Sequence, residues 1–252
     1  MTVFILSRKL FFTGGILFFI LGWKFLSVRI GSDILLPSPE SSFHKLIEIG
    51  TAPSFWEALG ATTLRSLYGF FISYMAGIIA GSMAGILPQF RAFISPMLTI
   101  LRTIPVLALI LLAMLWFVTD LVPVFVCFLM VFPITFSNVL EGVVQVDSKL
   151  LQMGELYGLG TGQRFFHIIL PSMTPFLLAG ANAGLGMAWK VTIAAEVLSQ
   201  PKRAVGSGIQ WAQMNLETGE VLAWTAAAIL LSGMSELVLG SLTGKFMRKP
   251  VK

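Results

Sequence analysis

Charged residues are scarce in this sequence. Of its 252 residues, 12% are Asp, Glu, Lys or Arg, and 56% are hydrophobic. A soluble domain usually carries about a quarter charged residues. A water-soluble fold of this size could not bury so much apolar surface, so the composition predicts a protein embedded in the lipid bilayer. The net charge of +5 is then better explained by membrane topology than by nucleic-acid binding, and no nucleic-acid partner is predicted.

Cysteine, histidine and nucleotide-binding motifs are equally sparse. Cys127 is the one cysteine, which excludes a disulfide within the chain and a cysteine-based metal site. His44 and His167 are the two histidines, and they are far apart in the sequence. The nearest pattern to a phosphate loop, residues 240–245, has its glycines too close together, and Phe246 replaces the hydroxyl that binds magnesium. We therefore predict no cofactor or metal bound by this chain.

Long apolar runs dominate what remains. A membrane-spanning helix needs about 20 mostly apolar residues, and the runs do not alternate apolar with polar residues as barrel strands do. The predicted fold class is all-α: a polytopic membrane protein with about six transmembrane helices in one domain, residues 1–252. The first run is interpreted as a retained span rather than a cleaved signal. The predicted spans are 10–26, 62–87, 94–118, 121–140, 174–198 and 221–242.

Lysine and arginine fall mainly on one side of these spans. With both termini placed inside, the outside segments carry Arg29, Lys45, Lys202 and Arg203. The inside segments carry the larger set. It comprises Arg8, Lys9, Arg91, Lys149, Arg164, Lys245, Arg248, Lys249 and Lys252. This asymmetry predicts that both termini are cytoplasmic.

Small residues recur every four positions along the second span. They are Gly69, Ser73, Gly77, Gly81 and Gly85. Such a stripe lets two helix backbones approach closely in lipid. Tight packing within this chain is the favoured interpretation, and a seam between two copies is the alternative.

Ionisable residues within the spans are costly, so each is a functional hypothesis. Lys24 and Arg65 lie near predicted outer ends, where they could extend their charges to the interface. Arg102 precedes Pro105, which should kink the third span. Lys190 and Glu196 lie in the fifth span, and we expect them to pair with each other's neighbours or with Arg102. A pathway or gate role and buried structural pairing both remain open.

The inside loop, residues 141–171, is too polar to span and too patterned for a linker. Asp147 or Ser148 should cap a short helix that runs to Tyr157 and ends at Gly158. A second short helix is expected over residues 163–170, closed by Pro171. The pair could project as a knob for a partner protein or lie on the lipid surface.

At this loop the chain resembles the permeases of binding-protein-dependent ABC importers. Their pattern is Glu-Ala-Ala, three residues, Gly, nine residues and Ile-x-Leu-Pro. Gly158 takes the glycine position, and Ile168, Leu170 and Pro171 match the end without a gap. The triplet is degenerate, since it falls on Gln152, Met153 and Gly154.

Further matches, over roughly residues 34–240, resemble the nitrate, sulfonate and taurine branch of that family. They include residues 35–39, 101–105 and 142–147, the Phe132-Pro133 turn, and Trp189 followed by Ala195-Glu196.

The resemblance implies a type I importer fold and a division of labour between subunits. Two permease chains, expected as a homodimer, would form the pathway, with Arg102, Pro105, Trp189, Lys190 and Glu196 as candidate pathway residues. Separate ATPase subunits would hydrolyse ATP and dock on the inside loop. An external solute-binding protein would deliver substrate. The coupling residues implied by this resemblance are Gln152, Gly154, Glu155, Gly158, Ile168, Leu170 and Pro171.

The substrate implied is a small solute: a sulfonate-, taurine- or nitrate-like anion, or a vitamin or pyrimidine precursor. Arg102 and Lys190 favour an anion. An ion-driven secondary carrier is the main alternative, but no inverted repeat is evident. A membrane enzyme lacks a paired set of acids or a nucleophile with its base. A membrane scaffold would leave the intramembrane charges without a purpose.

Overall fold

The structure is a computed structural model that describes residues 2–247, with side chains described for residues 11–241. Arg248, Lys249 and Lys252 of the predicted inside anchor lie outside the described residues. All regular secondary structure in the described residues is helical, and no strand occurs among them. Its helices are α1 (Thr2–Ile30), α2 (Pro39–Gly50), α3 (Pro53–Ile86), α4 (Pro88–Thr103), α5 (Val106–Trp116), α6 (Val122–Val144), α7 (Ser148–Leu156), α8 (Thr161–Arg164), α9 (Leu170–Ser199), α10 (Val205–Met214) and α11 (Thr218–Met247).

Within the described residues, five continuous helices are long and apolar enough to cross a membrane, and α4 with α5 forms a sixth, bent candidate. The all-α polytopic prediction is confirmed. The predicted third span is wrong as a single kinked helix, because the chain turns by 103° between α4 and α5. Ile104 and Pro105 are both extended there, since a residue before proline avoids the helical region.

The register of the long helices fixes the path of the chain. Gly69 of α3 contacts Cys127 of α6, and Gly85 contacts Val143, so α3 and α6 run parallel. The segment between them must therefore return across the bundle, and α4 with α5 makes that return. Gly180 of α9 lies against Asn138 of α6, and α9 runs antiparallel to α6.

The first and last helices complete an even number of crossings. Trp189 of α9 donates a 2.7 Å hydrogen bond to Ser235 of α11, and Gly186 faces Glu236, so α11 is antiparallel to α9. Helices α1 and α11 border one apolar groove, and Thr218 at the start of α11 donates a hydrogen bond to the carbonyl of Ile34, just after the end of α1, so the two helices run in opposite directions. Both described chain ends therefore lie at the end of the bundle that carries α7, here called the α7 end. The opposite end is called the α10 end.

The small-residue stripe of α3 is filled from within the chain. A Cβ atom added to Gly77 would lie 2.6 Å from Cβ of Thr135. One added to Gly81 would lie 2.8 Å from the carbonyl oxygen of Phe136, and one at Gly85 would lie 2.5 Å from Val143. Those distances are shorter than any normal carbon contact, so the backbone of α3 packs directly against α6. Within the described chain, the stripe therefore lies against α6.

The inside loop matches the prediction in its first half only. Helix α7 begins at Ser148 with Asp147 as its N-cap, the Asp147 carboxylate accepting from the Lys149 amide at 2.9 Å. Gly158 follows α7 with a φ of +70°. The predicted second short helix closed by Pro171 is wrong. Helix α8 continues through a π-helical turn, Phe165–Ile169, into α9. The Leu170 amide donates to the carbonyl of Phe165, five residues earlier. This wider turn accommodates Pro171, which has no amide hydrogen to donate.

Candidate transport pathway and coupling surface

A concave surface lies beside the break between α4 and α5. It is a cavity of about 460 Å³ whose walls come from α4, α6 and α9. Arg102, exposed at the last turn of α4, donates a hydrogen bond to the hydroxyl of Ser137. The remaining lining residues are Leu101, Met130, Pro133, Ile134, Asn138 and Met187. A lone guanidinium in such an apolar wall is suited to bind an anion.

One face of α9 adjoins this cavity and carries polar residues at membrane depth. Asn182, Gly186 and Lys190 are four residues apart, so they share a helix face. Asn182 and Lys190 are exposed in the isolated chain, and Gly186 is half-exposed. Met187, the neighbour of Gly186, lines the cavity with Arg102. We call Asn182, Gly186 and Lys190 the α9 face.

Glu196 does not lie on this face. Its carboxylate is fully buried and accepts hydrogen bonds from Thr62 at 2.9 and 3.0 Å and from Arg65 at 2.9 Å. The Gly206 amide donates to it at 3.2 Å. The predicted pairing with Arg102 is therefore wrong, because α4 ends beside α6 near the cavity while Glu196 lies at the α10 end of α9.

Arg65 joins four parts of the chain at the α10 end. Besides Glu196, its guanidinium donates to Asp120 at 2.5 Å and to the carbonyl of Arg203 at 2.8 Å. Its side chain is 12% exposed, so the prediction that it extends freely to the interface is wrong. Helix α3 begins at Pro53, three turns before Arg65, and this places Arg65 between α9, α10 and the start of α6. The network fixes α10 against the ends of three long helices.

The other candidate pathway residues take different positions. Trp189 is 2% exposed and belongs to a core cluster with Phe70 and Leu185, so it packs the interior. Pro105 forms the break between α4 and α5. Arg102 and Lys190 alone of the predicted pathway set present charges on an exposed surface.

The segment between α1 and α3 is held at the α10 end by polar contacts. Lys24 hydrogen-bonds the exposed carboxylate of Glu40 at the start of α2, and this contact holds the pKa of Glu40 below its usual value. Lys45 pairs with Glu48 at 3.3 Å and with Glu217 at 3.4 Å. Its hydrogen bond to Glu48 raises the pKa of Lys45. These pairs attach α2 across the start of α11.

Helix α7 presents a mixed surface at the opposite end. Its exposed apolar residues include Met153, Leu156 and Tyr157, the last two at 88% and 80% exposure. Gln152 and Glu155 are exposed between them. Gly154 faces inward, where an added Cβ would lie 2.7 Å from the Ile168 side chain. The close approach at Gly154 anchors α7 to the start of α9 and leaves its outer face uncovered in the described chain.

Sequence reasoning missed the partners of the charged groups: Thr62, Asp120 and Ser137. The earlier start of α3 was signalled by Pro53, which suits the first turn of a helix. The contact between Arg102 and Ser137 had no sequence signal, because 35 residues separate them. Among the described residues, no group of three or more His, Cys, Asp or Glu side chains could hold a metal ion.

The comparisons with known proteins agree with this geometry. Residues 73–247 match the family described as "Binding-protein-dependent transport system inner membrane component". The chain belongs to this family. It is therefore a multi-pass permease component of an ABC importer, and the family implies a separate ATPase and a substrate-binding protein as partners.

Individual relatives are similar over most of their length. The permease is 28% identical over 226 residues to the taurine transport system permease protein TauC of Escherichia coli, covering 87% of this chain and 82% of the relative. It is 31% identical over 222 residues to the putative aliphatic sulfonates transport permease protein SsuC of E. coli, covering 86% and 80%. The protein of the same description from Bacillus subtilis is 28% identical over 229 residues, covering 90% and 79%.

Proposed function

We propose that this permease imports a small organic anion of the sulfonate class. The observation that carries the proposal is the exposed cationic surface formed by Arg102 in the cavity and Lys190 on the α9 face. Charges at membrane depth are costly, so they are retained where they line an aqueous pathway or bind a ligand. An arginine fork beside the Ser137 hydroxyl matches the oxygen atoms of a sulfonate better than a neutral vitamin precursor. The printed functions of the taurine and aliphatic sulfonate relatives support the same class.

A second copy of the chain completes the pathway in this proposal. The α9 face would expose Asn182 and Lys190 to lipid in a single chain. Two copies related by a two-fold axis would enclose the two faces around a common axis. A homodimer therefore explains why polar residues cover one face of an otherwise apolar span.

The segment 141–171 is the proposed docking site of the ATPase. Leu156 and Tyr157 project from the end of α7 without cover in the described chain, and a groove on a partner could receive them. The Gly154 contact would transmit their movement directly to the start of α9. In this mechanism Gln152, Glu155 and Gly158 shape the docking surface, while Ile168, Leu170 and Pro171 connect it to the spanning part of α9. ATP is hydrolysed by the partner.

The α7 end is then cytoplasmic, and the membrane is the cell (inner or cytoplasmic) membrane. Lys149 and Arg164 lie at this end, as the positive-inside rule requires. Both described chain ends lie there too. A reporter enzyme fused after residue 252 should be active in the cytoplasm, and activity on the external side would refute this orientation.

The importer assembly is tested by purification from native membranes in mild detergent with mass spectrometry of the co-purifying proteins. We expect a stoichiometric subunit with a phosphate-loop ATPase motif and a second copy of the permease. Repeated recovery of the chain alone would refute the proposed assembly and favour an ion-driven carrier.

The substrate class is tested by uptake of labelled taurine into proteoliposomes that contain the complete importer and ATP. Arg102→Gln should lower the initial rate by about tenfold, which corresponds to about 1.4 kcal/mol. Arg91→Gln is the matched control, since Arg91 is exposed on the first turn of the same helix, away from the cavity. Wild-type proteoliposomes that take up no sulfonate would refute the proposed substrate class.

A further inference from the structure

Glu236 is an acidic residue at membrane depth that the proposed anion pathway does not use. It lies in the apolar helix α11, within the candidate span Thr218–Ser241. Glu236 is exposed in the isolated chain, and its side chain makes no hydrogen bond or ion pair with any other residue that the structure describes. An ionisable group in such a position is a candidate for ligand binding.

The surroundings of Glu236 keep its carboxylate open towards the α9 face. Its Oε1 atom lies 2.9 Å from the point that a Cβ on Gly186 would occupy. Any side chain at position 186 would therefore cover or displace the carboxylate. Because residue 186 is glycine, the carboxylate lies directly against bare backbone at the α9 face.

The α9 face and the adjoining Glu236 of α11 thus carry opposite charges at two neighbouring levels. Gly186 marks the level of Glu236, and Lys190 lies four residues further along the helix. That separation is about 6 Å along the helix axis. A short molecule with a cation at one end and an anion at the other can bridge two levels one helical turn apart, whereas a simple anion would leave Glu236 unpaired in a place where it repels the substrate.

We infer that Glu236 binds the ammonium group of a zwitterionic aminosulfonate, whose sulfonate group is bound by Lys190. This inference rests on the proposed sulfonate import and narrows its substrate class. Gly186 is then a specificity-determining position, since its missing side chain gives the ammonium group access to the carboxylate. Arg102 would receive the sulfonate at the next position along the cavity wall.

The test compares two sulfonates of the same chain length in proteoliposomes that contain the complete importer and ATP. Taurine carries an ammonium group, and isethionate carries a hydroxyl in its place. Both are supplied at concentrations that saturate the binding protein, so that initial rates report on the permease. The variants are Glu236→Gln, which removes the charge at constant size, Glu236→Asp, which keeps the charge on a shorter side chain, and Lys190→Gln.

We expect Glu236→Gln to lower taurine uptake by about tenfold, the effect of losing one charge-assisted hydrogen bond, and to leave isethionate uptake within about twofold. Glu236→Asp should retain more taurine uptake than Glu236→Gln, whereas a purely structural role would favour the isosteric Gln. Lys190→Gln should lower the uptake of both sulfonates.

Three results would overturn the inference while leaving sulfonate import intact. The first is an equal loss of taurine and isethionate uptake in Glu236→Gln, which would assign Glu236 to assembly with a second copy. The second is higher taurine uptake by Glu236→Gln than by Glu236→Asp. The third is uptake of isethionate but not of taurine by the wild type. If the wild type takes up taurine but not isethionate, the taurine uptake of Glu236→Asp relative to Glu236→Gln decides between ligand binding and a structural role. Uptake of neither sulfonate would refute the proposed function itself, and the inference with it.

Discussion

Replacing Arg65 by methionine tests the buried network at the α10 end. Methionine has a similar length and fits an apolar site, but it cannot donate a hydrogen bond. The change removes the 2.9 Å contact to Glu196, the 2.8 Å contact to the carbonyl of Arg203 and the contact to Asp120. Glu196 then stays fully buried with Thr62 and the Gly206 amide as its remaining donors.

The magnitude follows from the burial of the two partners. The Asp120 side chain is 65% exposed, so its share is under about 1 kcal/mol. The Glu196 side chain is 0% exposed and that of Arg65 is 12% exposed. Removing one member of a buried pair costs about 3–5 kcal/mol. Because Thr62 and Gly206 still bind the carboxylate, we expect about 3 kcal/mol, which corresponds to a fall of about 6–12 °C in melting temperature for a chain of this size.

The single cysteine provides the assay. Cys127 is fully buried between α3 and α6, so a thiol-reactive fluorogenic dye should label it only when the bundle opens. Thermal unfolding of the purified permease in detergent can be followed by this labelling. Arg102→Met is the matched control, since Arg102 is exposed and bonds one hydroxyl, and it should leave the melting temperature within about 2 °C.

A double variant separates the lone buried charge from simple loss of packing. Arg65→Met combined with Glu196→Gln removes the charge as well as its partner, so it should melt above Arg65→Met alone. The reasoning would be refuted if Arg65→Met melted as high as Arg102→Met, or if the double variant melted below the single one.

Three further predictions concern the coupling surface, the helix seam and the α2 attachment. Gly158→Val should strain the positive-φ turn by about 1–3 kcal/mol and reduce ATPase co-purification more than Gly158→Asn; equal recovery would contradict the coupling role. Gly81→Ala should lower the stability of the fold by about 1–3 kcal/mol through overpacking. Gly60→Ala on the same helix, with open space around it, should leave the stability unchanged. A lower melting temperature for Gly60→Ala than for Gly81→Ala in the dye assay would contradict this prediction. The depressed pKa of Glu40 means that its pair with Lys24 stabilises the attachment above the ordinary carboxyl pKa of 4.5 and is lost as the pH falls through the depressed value. Hydrogen exchange in α2, expressed relative to the intrinsic exchange rate at each pH, should then rise on acidification in the wild type but not in Lys24→Gln, and identical profiles would count against the pair.

Local patterns predicted much of the fold because they act within a few residues of each other. The stripe from Gly69 to Gly85 indicated a close helix contact, and α6 provides it. Asp147 and Gly158 marked the start and end of α7. Pro105 indicated an interruption in the third span, but its 103° angle depends on how α4 and α5 pack against α6. Pro171 was misread because its local effect is compensated by a π-helical turn, which has no clear sequence signature.

The candidate site was predicted in part only. Arg102 and Lys190 could be identified because a charge in an apolar run is conspicuous by itself. The partner of Glu196 could not be identified, since Arg65 lies 131 residues away and the two meet only after α3 and α9 have packed. Glu236 lies within the predicted span 221–242, but its position against Gly186 required the register of α9 and α11.

The sequence by itself determined that the protein is embedded in lipid, that it is helical, where its spans approximately lie and which family it resembles. These properties depend on composition, local periodicity and a motif of fixed spacing. Only the tertiary structure decided which charges are buried and which remain open to a ligand. Burial is a property of packed helix faces, and a rotation or shift of one turn between α9 and its neighbours would exchange Glu196 with an exposed position. The sequence therefore specifies the charged groups, and helix packing assigns Arg65 and Glu196 to stability and Arg102, Lys190 and Glu236 to the exposed surface.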